Sequence, residues 1–352
     1  MFAYLRHFLR HLLRHDLQHL ILHVTGRCNL RCAHCFVDFT SPTDLPAGRY
    51  RRLAEEVGSF FWLDVGGGEP FLRQDLPEIV SAFRCRVLHI PTNGVLSDAV
   101  VTSVREIRDR TSADVVVSIS IDGLEVTHDD IRGKRGVWQQ AWRTFDRLRE
   151  MDVPIRINTV LMRRNEREIL PLMEEVRRRG PDFHSICFHR GPTEDPIFAL
   201  PDLSQVRKMG PGIFEILRTY DYGRGWLAAR ILRNYHKYLW NLSLATLERR
   251  TQVVPCLAGR AHMVVLGDGS VSSCEMLPAV GNIQTQSWSD ILSGQAFRRQ
   301  VRMIRDKGCF CSHNCAMLAS ILMRLRSFWP LLYQKLDQGP ATSAATEVAP
   351  HG

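Results

Sequence analysis

Three cysteines crowd residues 28 to 35, CNLRCAHC, as Cys28-x3-Cys32-x2-Cys35. In a reducing compartment, thiols are crowded in this way when they have a metal to hold. A four-iron sulfur cluster takes four thiolates as a rule, so a loop with three leaves one iron to a ligand from outside the protein. Zinc is the alternative, and it would ask for a fourth protein ligand nearby. A second set is spread more widely, as Cys256-x12-Gly269-x4-Cys274 and then Cys309-x-Cys311-x3-Cys315. A glycine turn between two thiols, with more arriving from a distant segment, suits the clamping of one cluster between a hairpin and a helix. A zinc site closing a small domain is the alternative there. These thiols suffice for one complete four-iron cluster with one to spare, so Cys256 and Cys274 are expected to be joined by two of Cys309, Cys311 and Cys315. Glu275 follows Cys274 directly, where a carboxylate can act as a general base or cap a turn. Cys85 and Cys187 lie in β-rich segments and read as buried thiols.

Six apolar, mostly β-rich segments must position these groups: LILHVT, FFWLDV, RVLHIP, ADVVVSIS, VPIRINTVLM and FHSICFH. Helical periodicity separates them, as in GRYRRLAEEVG and WQQAWRTFDRLREM. Such alternation predicts parallel strands with helical crossovers over roughly residues 18 to 190, in an open sheet or a barrel. Both architectures place chemistry at the carboxyl ends of the strands. The unusual residues fall there: the cysteine loop after the first strand, GGGEP after the second, TNG after the third and SIDG after the fourth. In GGGEP, residues without Cβ would let backbone approach a ligand, and Glu69 offers a carboxylate to an ammonium group.

Cys28-x3-Cys32-x2-Cys35 after a first strand resembles the signature of the radical S-adenosylmethionine (SAM) superfamily. The resemblance implies an α/β fold, a partial (β/α)6 TIM-like barrel with a small C-terminal auxiliary-cluster domain. It also implies a [4Fe-4S] cluster whose open iron is chelated by SAM, and reductive cleavage of SAM to a 5′-deoxyadenosyl radical that abstracts a substrate hydrogen. Gly66, Gly67, Gly68, Glu69 and Pro70 resemble the motif that holds the SAM amino group. His34 stands where the family has an aromatic residue against the adenine. SIDG, with THDDIRGKRGVW after it, implies Ser118 or Ser120 near the ribose and carboxylate, and Arg132 as a bidentate partner of the SAM carboxylate. Asn93 is a further candidate. Local turn hydrogen bonding is the alternative for Ser118 and Asn93, and a solvated helix end for Arg132. The second cysteine set resembles the SPASM and twitch auxiliary modules and departs from SPASM in carrying too few thiols for two clusters. One auxiliary [4Fe-4S] cluster is therefore expected, and in some relatives an acid at the position of Glu275 accepts a substrate proton.

The expected organisation is a basic amphipathic helix over 1–18, the barrel over 19–230, a linker helix with the auxiliary module over 231–316, an amphipathic helix over 317–338 and a disordered tail over 339–352. A chain of 352 residues with 45% hydrophobic and 24% charged residues can bury a sizeable core. Its start has Arg and His where a signal peptide would be unbroken and apolar, so export is not expected and the cytoplasm is. The formal charge of +9 is dispersed along helices, with no zinc-finger spacing and no basic, aromatic face, so no nucleic-acid partner is expected. Flavodoxin or ferredoxin is the expected kind of electron donor. Peptide maturation is the first expectation for the reaction, with oxidation of a small molecule or modification of a lipid beside it. Residues 1–18 and 317–336 are apolar with interspersed Arg and Lys, which makes peripheral contact with the inner face of a membrane an expectation beside core packing.

Overall fold

In a computed structural model of the chain, residues 2–14, 16–37, 44–191, 193–220, 222 and 225–333 are described. Each β-rich segment forms a strand: β1 His19–Thr25, β2 Ser59–Gly67, β3 Arg84–Thr92, β4 Asp114–Ser120, β5 Ile155–Leu161 and β6 Phe183–Phe188. Successive strands pair in parallel, as right-handed crossovers through intervening helices require. Three further strands, β7 His262–Val265, β8 Ser270–Ser272 and β9 Gly281–Asn282, complete one nine-stranded sheet of order β6-β5-β4-β3-β2-β1-β7-β8-β9.

β7 runs parallel to β1, with His19 opposite His262 and Leu22 opposite Val265. The auxiliary module is therefore built onto the barrel's own sheet, and the boundary expected between 230 and 231 falls within the helix Trp226–Arg249.

Period-two alternation assigns the two faces of this sheet. Leu20, Leu22, Leu63, Val65, Leu88, Ile90, Val117 and Ile119 join one core with the crossover helices, centred on buried Tyr50, Phe60 and Phe145. The opposite register positions, among them His19, His23, Asp64, His89 and Ser118, line the lumen, which is polar. Helices Leu203–Leu217 and Trp226–Arg249 pack over β6 through Phe188 and Trp240.

Two terminal expectations are corrected. The first helix spans Phe2–Arg14 and stops before residue 18. Arg10 reaches ahead to Asp16 (Nη2 to Oδ2, 2.9 Å), and the backbone N–H groups of Gln18 and His19 both donate to the Ala261 carbonyl, which starts β1. The expected continuous helix over 317–338 is broken into Asn314–Leu322, a 3-10 turn Leu325–Ser327 and Phe328–Tyr333, bent by 96°. Pro330 falls in the first turn of the last helix, where a missing N–H leaves no hydrogen bond unmade. The tail expected over 339–352 lies outside the described residues.

Candidate active site

Four strand ends meet at the mouth. The cysteine loop leaves β1 and is bound to its neighbours through backbone: Ala33 N–H donates to the Ile131 carbonyl (2.9 Å), Gly68 N–H to Thr25 O (2.8 Å) and Glu69 N–H to Arg27 O (2.9 Å). These contacts give the glycine motif a reason beside the expected one. A Cβ at Gly68 would lie 1.9 Å from Arg27 O, and one at Gly67, whose φ is +102°, would lie 2.3 Å from Thr25 O. The crowding comes from the protein's own cysteine loop, which only a Cβ-free strand end lets sit so close.

Pro70 opens the short 3-10 turn Pro70–Leu72 and leaves Glu69 at its N-cap, 1% exposed. The Glu69 carboxylate accepts from the N–H of Phe71 (3.3 Å), the hydroxyl of Thr92 (3.0 Å) and the N–H of Asn93 (2.8 Å). Burial pushes its pKa up to about 7, against those donors. Asn93 donates through Nδ2 to Asn29 Oδ1 (2.8 Å), which ties the TNG turn to the cysteine loop.

From SIDG, Asp122 is fully buried with Arg132 Nη2 2.6 Å and His34 Nε2 3.8 Å from its Oδ2. Arg132 ends the helix Glu125–Arg132 and is 7% exposed, so the solvated reading is corrected. Its Nη1 lies 3.6 Å from Cys32 Sγ, and its buried Nε has no hydrogen-bond partner. Burial lowers His34 to about 4, leaving a neutral ring whose Nδ1 is also without a hydrogen-bond partner. Ser118 lies deeper, with its Oγ 2.8 Å from His89 Nε2, while half-buried Ser120 ends β4 in register with Asn158. The hydroxyl left near the mouth is thus that of Ser120.

These residues fit the groups that the resemblance implies. Three thiols sit in one loop, beside a buried carboxylate, a guanidinium and a neutral imidazole with unsatisfied nitrogens, a donor and acceptor set suited to an amino acid and an adenine. Burial pushes the Cys28 and Cys35 thiols up, so the thiolate form there calls for a cation to stabilise it.

The second set divides. Cys256, Cys274 and Cys309 pack around Ala258 and Ile304, and Cys256, Cys309 and Cys311 line one small cavity of about 40 Å³. Gln252 ties the two segments, accepting from Cys256 N–H (2.9 Å) and donating to Cys309 O (3.0 Å). Burial pushes Cys256 up to about 11 and Cys274 up to about 12, and the neighbouring thiols add to it. Cys315 faces elsewhere, toward the lumen, where Asp64, Glu275 and Cys187 are the acidic groups that act on it. The fold thus groups Cys256, Cys274, Cys309 and Cys311 and leaves Cys315 apart from them.

Glu275 points into the lumen with three partners: His23 Nε2 donates to it (2.7 Å), His313 Nε2 lies 2.5 Å away and Arg190 Nη2 3.4 Å. Burial opposes its ionisation, but His313 and His23 hold the carboxyl well below the usual range. A carboxylate so committed is a weaker proton acceptor than a free one. On its other side, His313 Nδ1 lies 3.6 Å from Cys274 Sγ. Below them runs a second chain, from His262 to His19 (3.2 Å), Asp64 (2.7 Å), His89 (2.5 Å) and Ser118. Sequence reasoning missed His23, Arg190 and His313. The lumen parity of His23 on β1, and the place of His313 between Cys311 and Cys315, were the available signals.

The radical SAM superfamily model matches residues 22–176, and the SPASM iron-sulfur cluster-binding domain matches residues 256–316. The chain is 28% identical over 309 residues to an AdoMet-dependent heme synthase of Methanosarcina barkeri, covering 79% of this chain and 83% of that protein. It is 24% identical over 285 residues to the antilisterial bacteriocin subtilosin biosynthesis protein AlbA of Bacillus subtilis, covering 77% and 58%. In fold it is similar to Streptococcus suis SuiB bound to S-adenosylmethionine, with a TM-score of 0.62 at 16% identity over 84% of this chain and 71% of that one. The chain belongs to the radical SAM superfamily and is an enzyme that uses a [4Fe-4S] cluster, SAM and an auxiliary iron–sulfur cluster.

Proposed function

We propose that this enzyme oxidises a carboxylate-bearing small molecule of the tetrapyrrole class within the barrel lumen. When bound, its cofactors supply a 5′-deoxyadenosyl radical at the mouth and an electron acceptor at the auxiliary site. Cys28, Cys32 and Cys35 hold the first cluster, with Glu69, Arg132, Ser120 and His34 around SAM. Cys256, Cys274, Cys309 and Cys311 hold the second. A one-electron donor such as flavodoxin or ferredoxin serves the first.

The observation that carries this reading is the link Cys274–His313–Glu275–His23, which joins the auxiliary site to the lumen beside Gly66. His23, held by Glu275 in the manner of a carboxylate–imidazole dyad, is placed to take the proton that an oxidised substrate gives up. Arg156 and Arg190 each carry a buried Nε without a hydrogen-bond partner, which suits them to substrate carboxylates. The heme synthase relative supports the substrate class. The relative named for subtilosin biosynthesis supports a second reading, oxidation of a precursor peptide.

The test is anaerobic incubation of reconstituted enzyme with SAM, dithionite and a panel of carboxylated tetrapyrroles and peptides, following 5′-deoxyadenosine and substrate mass. A tetrapyrrole acid that stimulates 5′-deoxyadenosine and loses mass supports the proposal. A peptide that does so in its place overturns the substrate class and leaves the reaction class standing.

A further inference from the structure

The first helix is amphipathic in the opposite sense from an ordinary surface helix. Its inner face is His7, Phe8 and His11, exposed by 3%, 2% and 4%. The imidazoles are used there: His7 Nδ1 lies 3.0 Å from Gln18 Oε1, and His11 Nδ1 lies 3.1 Å from the Asp16 carbonyl oxygen. The outer face presents Leu9, Leu12 and Leu13, the last 81% exposed, beside exposed Arg6. The helix carries three arginines and no acidic residue.

A second segment with exposed apolar residues follows the helix that this one packs against. Phe8 packs with Ala319 and Met323, so the first helix lies against the end of Asn314–Leu322. Directly beyond, Leu325 is 65% exposed, and Trp329 and Tyr333 are 70% and 57% exposed with ring centroids 4.3 Å apart. Arg324 and Arg326 flank Leu325, and the MLASILMRLRSFWPLLY stretch contains no acid.

We propose that these two segments, remote in sequence, form one surface that docks the enzyme on an anionic lipid bilayer. Exposed leucines supply apolar area, the Trp–Tyr pair has the amphipathic character of residues found at headgroup level, and exposed Arg6 and Arg326 match anionic headgroups. The mode is lying on the membrane. Among the described residues no single helix is long and apolar enough to cross one, and the two C-terminal helical segments that together approach that length are bent by 96°. The buried Ala316, Ala319 and Ile321 also commit the first of these helices to the protein's own core.

The test is flotation of the full-length, cluster-loaded enzyme with vesicles of phosphatidylcholine alone and of phosphatidylcholine with about a third phosphatidylglycerol, at low and high salt. Wild-type protein should float with the anionic vesicles and be released by salt. The double variant Leu9→Asp/Leu13→Asp should lose at least about tenfold in bound fraction, and Trp329→Ala less, with iron content and SAM cleavage unchanged in both. Absence of flotation, or equal binding to neutral vesicles at both salts, overturns the proposal. So does a wild-type dimer in light scattering that Leu13→Asp dissociates while no vesicle is bound, since a second copy would then cover the face.

Discussion

The two groups of thiols make opposite use of the chain. Cys28, Cys32 and Cys35 come from one loop at the open mouth, with Cys35 exposed and Cys28 and Cys32 half-buried. Cys256, Cys274, Cys309 and Cys311 come from segments brought together by a hairpin, a connecting helix and the Gln252 bridge, and none of them is exposed. Three ligands in an accessible loop suit a cluster with an open position, able to take a ligand from outside the protein. Four enclosed ligands suit a cluster whose shell is complete, able to pass electrons and not to take a substrate ligand. One fold thus holds an open thiol set and an enclosed one apart.

Substitutions can break this comparison one region at a time. The largest effect is expected for Cys32→Ala: 5′-deoxyadenosine production should be abolished, while iron falls from about eight to about four per chain. Iron that falls to zero would mean that the two sites depend on each other. Cys311→Ala should remove the auxiliary iron, whereas Cys315→Ala should retain it in full. Loss of iron in Cys315→Ala, followed by its absorption spectrum, would reverse the assignment of the spare thiol.

A third change acts through backbone alone. Gly68→Ala drives a Cβ into the Arg27 carbonyl and should cost about 2 to 4 kcal/mol in stability, read from denaturation, with reduced iron at the mouth. The smallest effect is electrostatic. Glu69 is raised to about 7 by burial, so it is protonated below that pH and ionised above it. SAM affinity, measured by calorimetry, should rise from about pH 6 to about pH 7.5 as the carboxylate becomes available to an ammonium group. Glu69→Gln should weaken binding by about tenfold and flatten the profile; an unchanged profile would remove Glu69 from that role.

Much of the barrel was legible because its signals are local. Alternating apolar segments such as FFWLDV and ADVVVSIS specify strands by period, and the motif residues sit within a few positions of their ends. The glycines were legible as a motif but their packing role was not, since nothing in GGGEP says that the Arg27 and Thr25 carbonyls will press on Gly68 and Gly67. The C-terminal stretch misled because composition reports apolarity and says little of direction: the helix breaks before Pro330, and Ile321 turns inward while Trp329 turns out.

The sequence by itself determined which residues could bind metal, that three of them share one short loop, and which strand ends carry the motif residues, because those relations span few residues and follow from strand period and loop spacing. Tertiary structure decided the rest: that β7 joins β1, that Cys315 leaves the other four thiols, that His23, His313 and Arg190 converge on Glu275, and that the first helix turns Leu9, Leu12 and Leu13 outward. Those contacts link segments up to hundreds of residues apart, and pairing and packing select them from many arrangements that the same local pattern would allow.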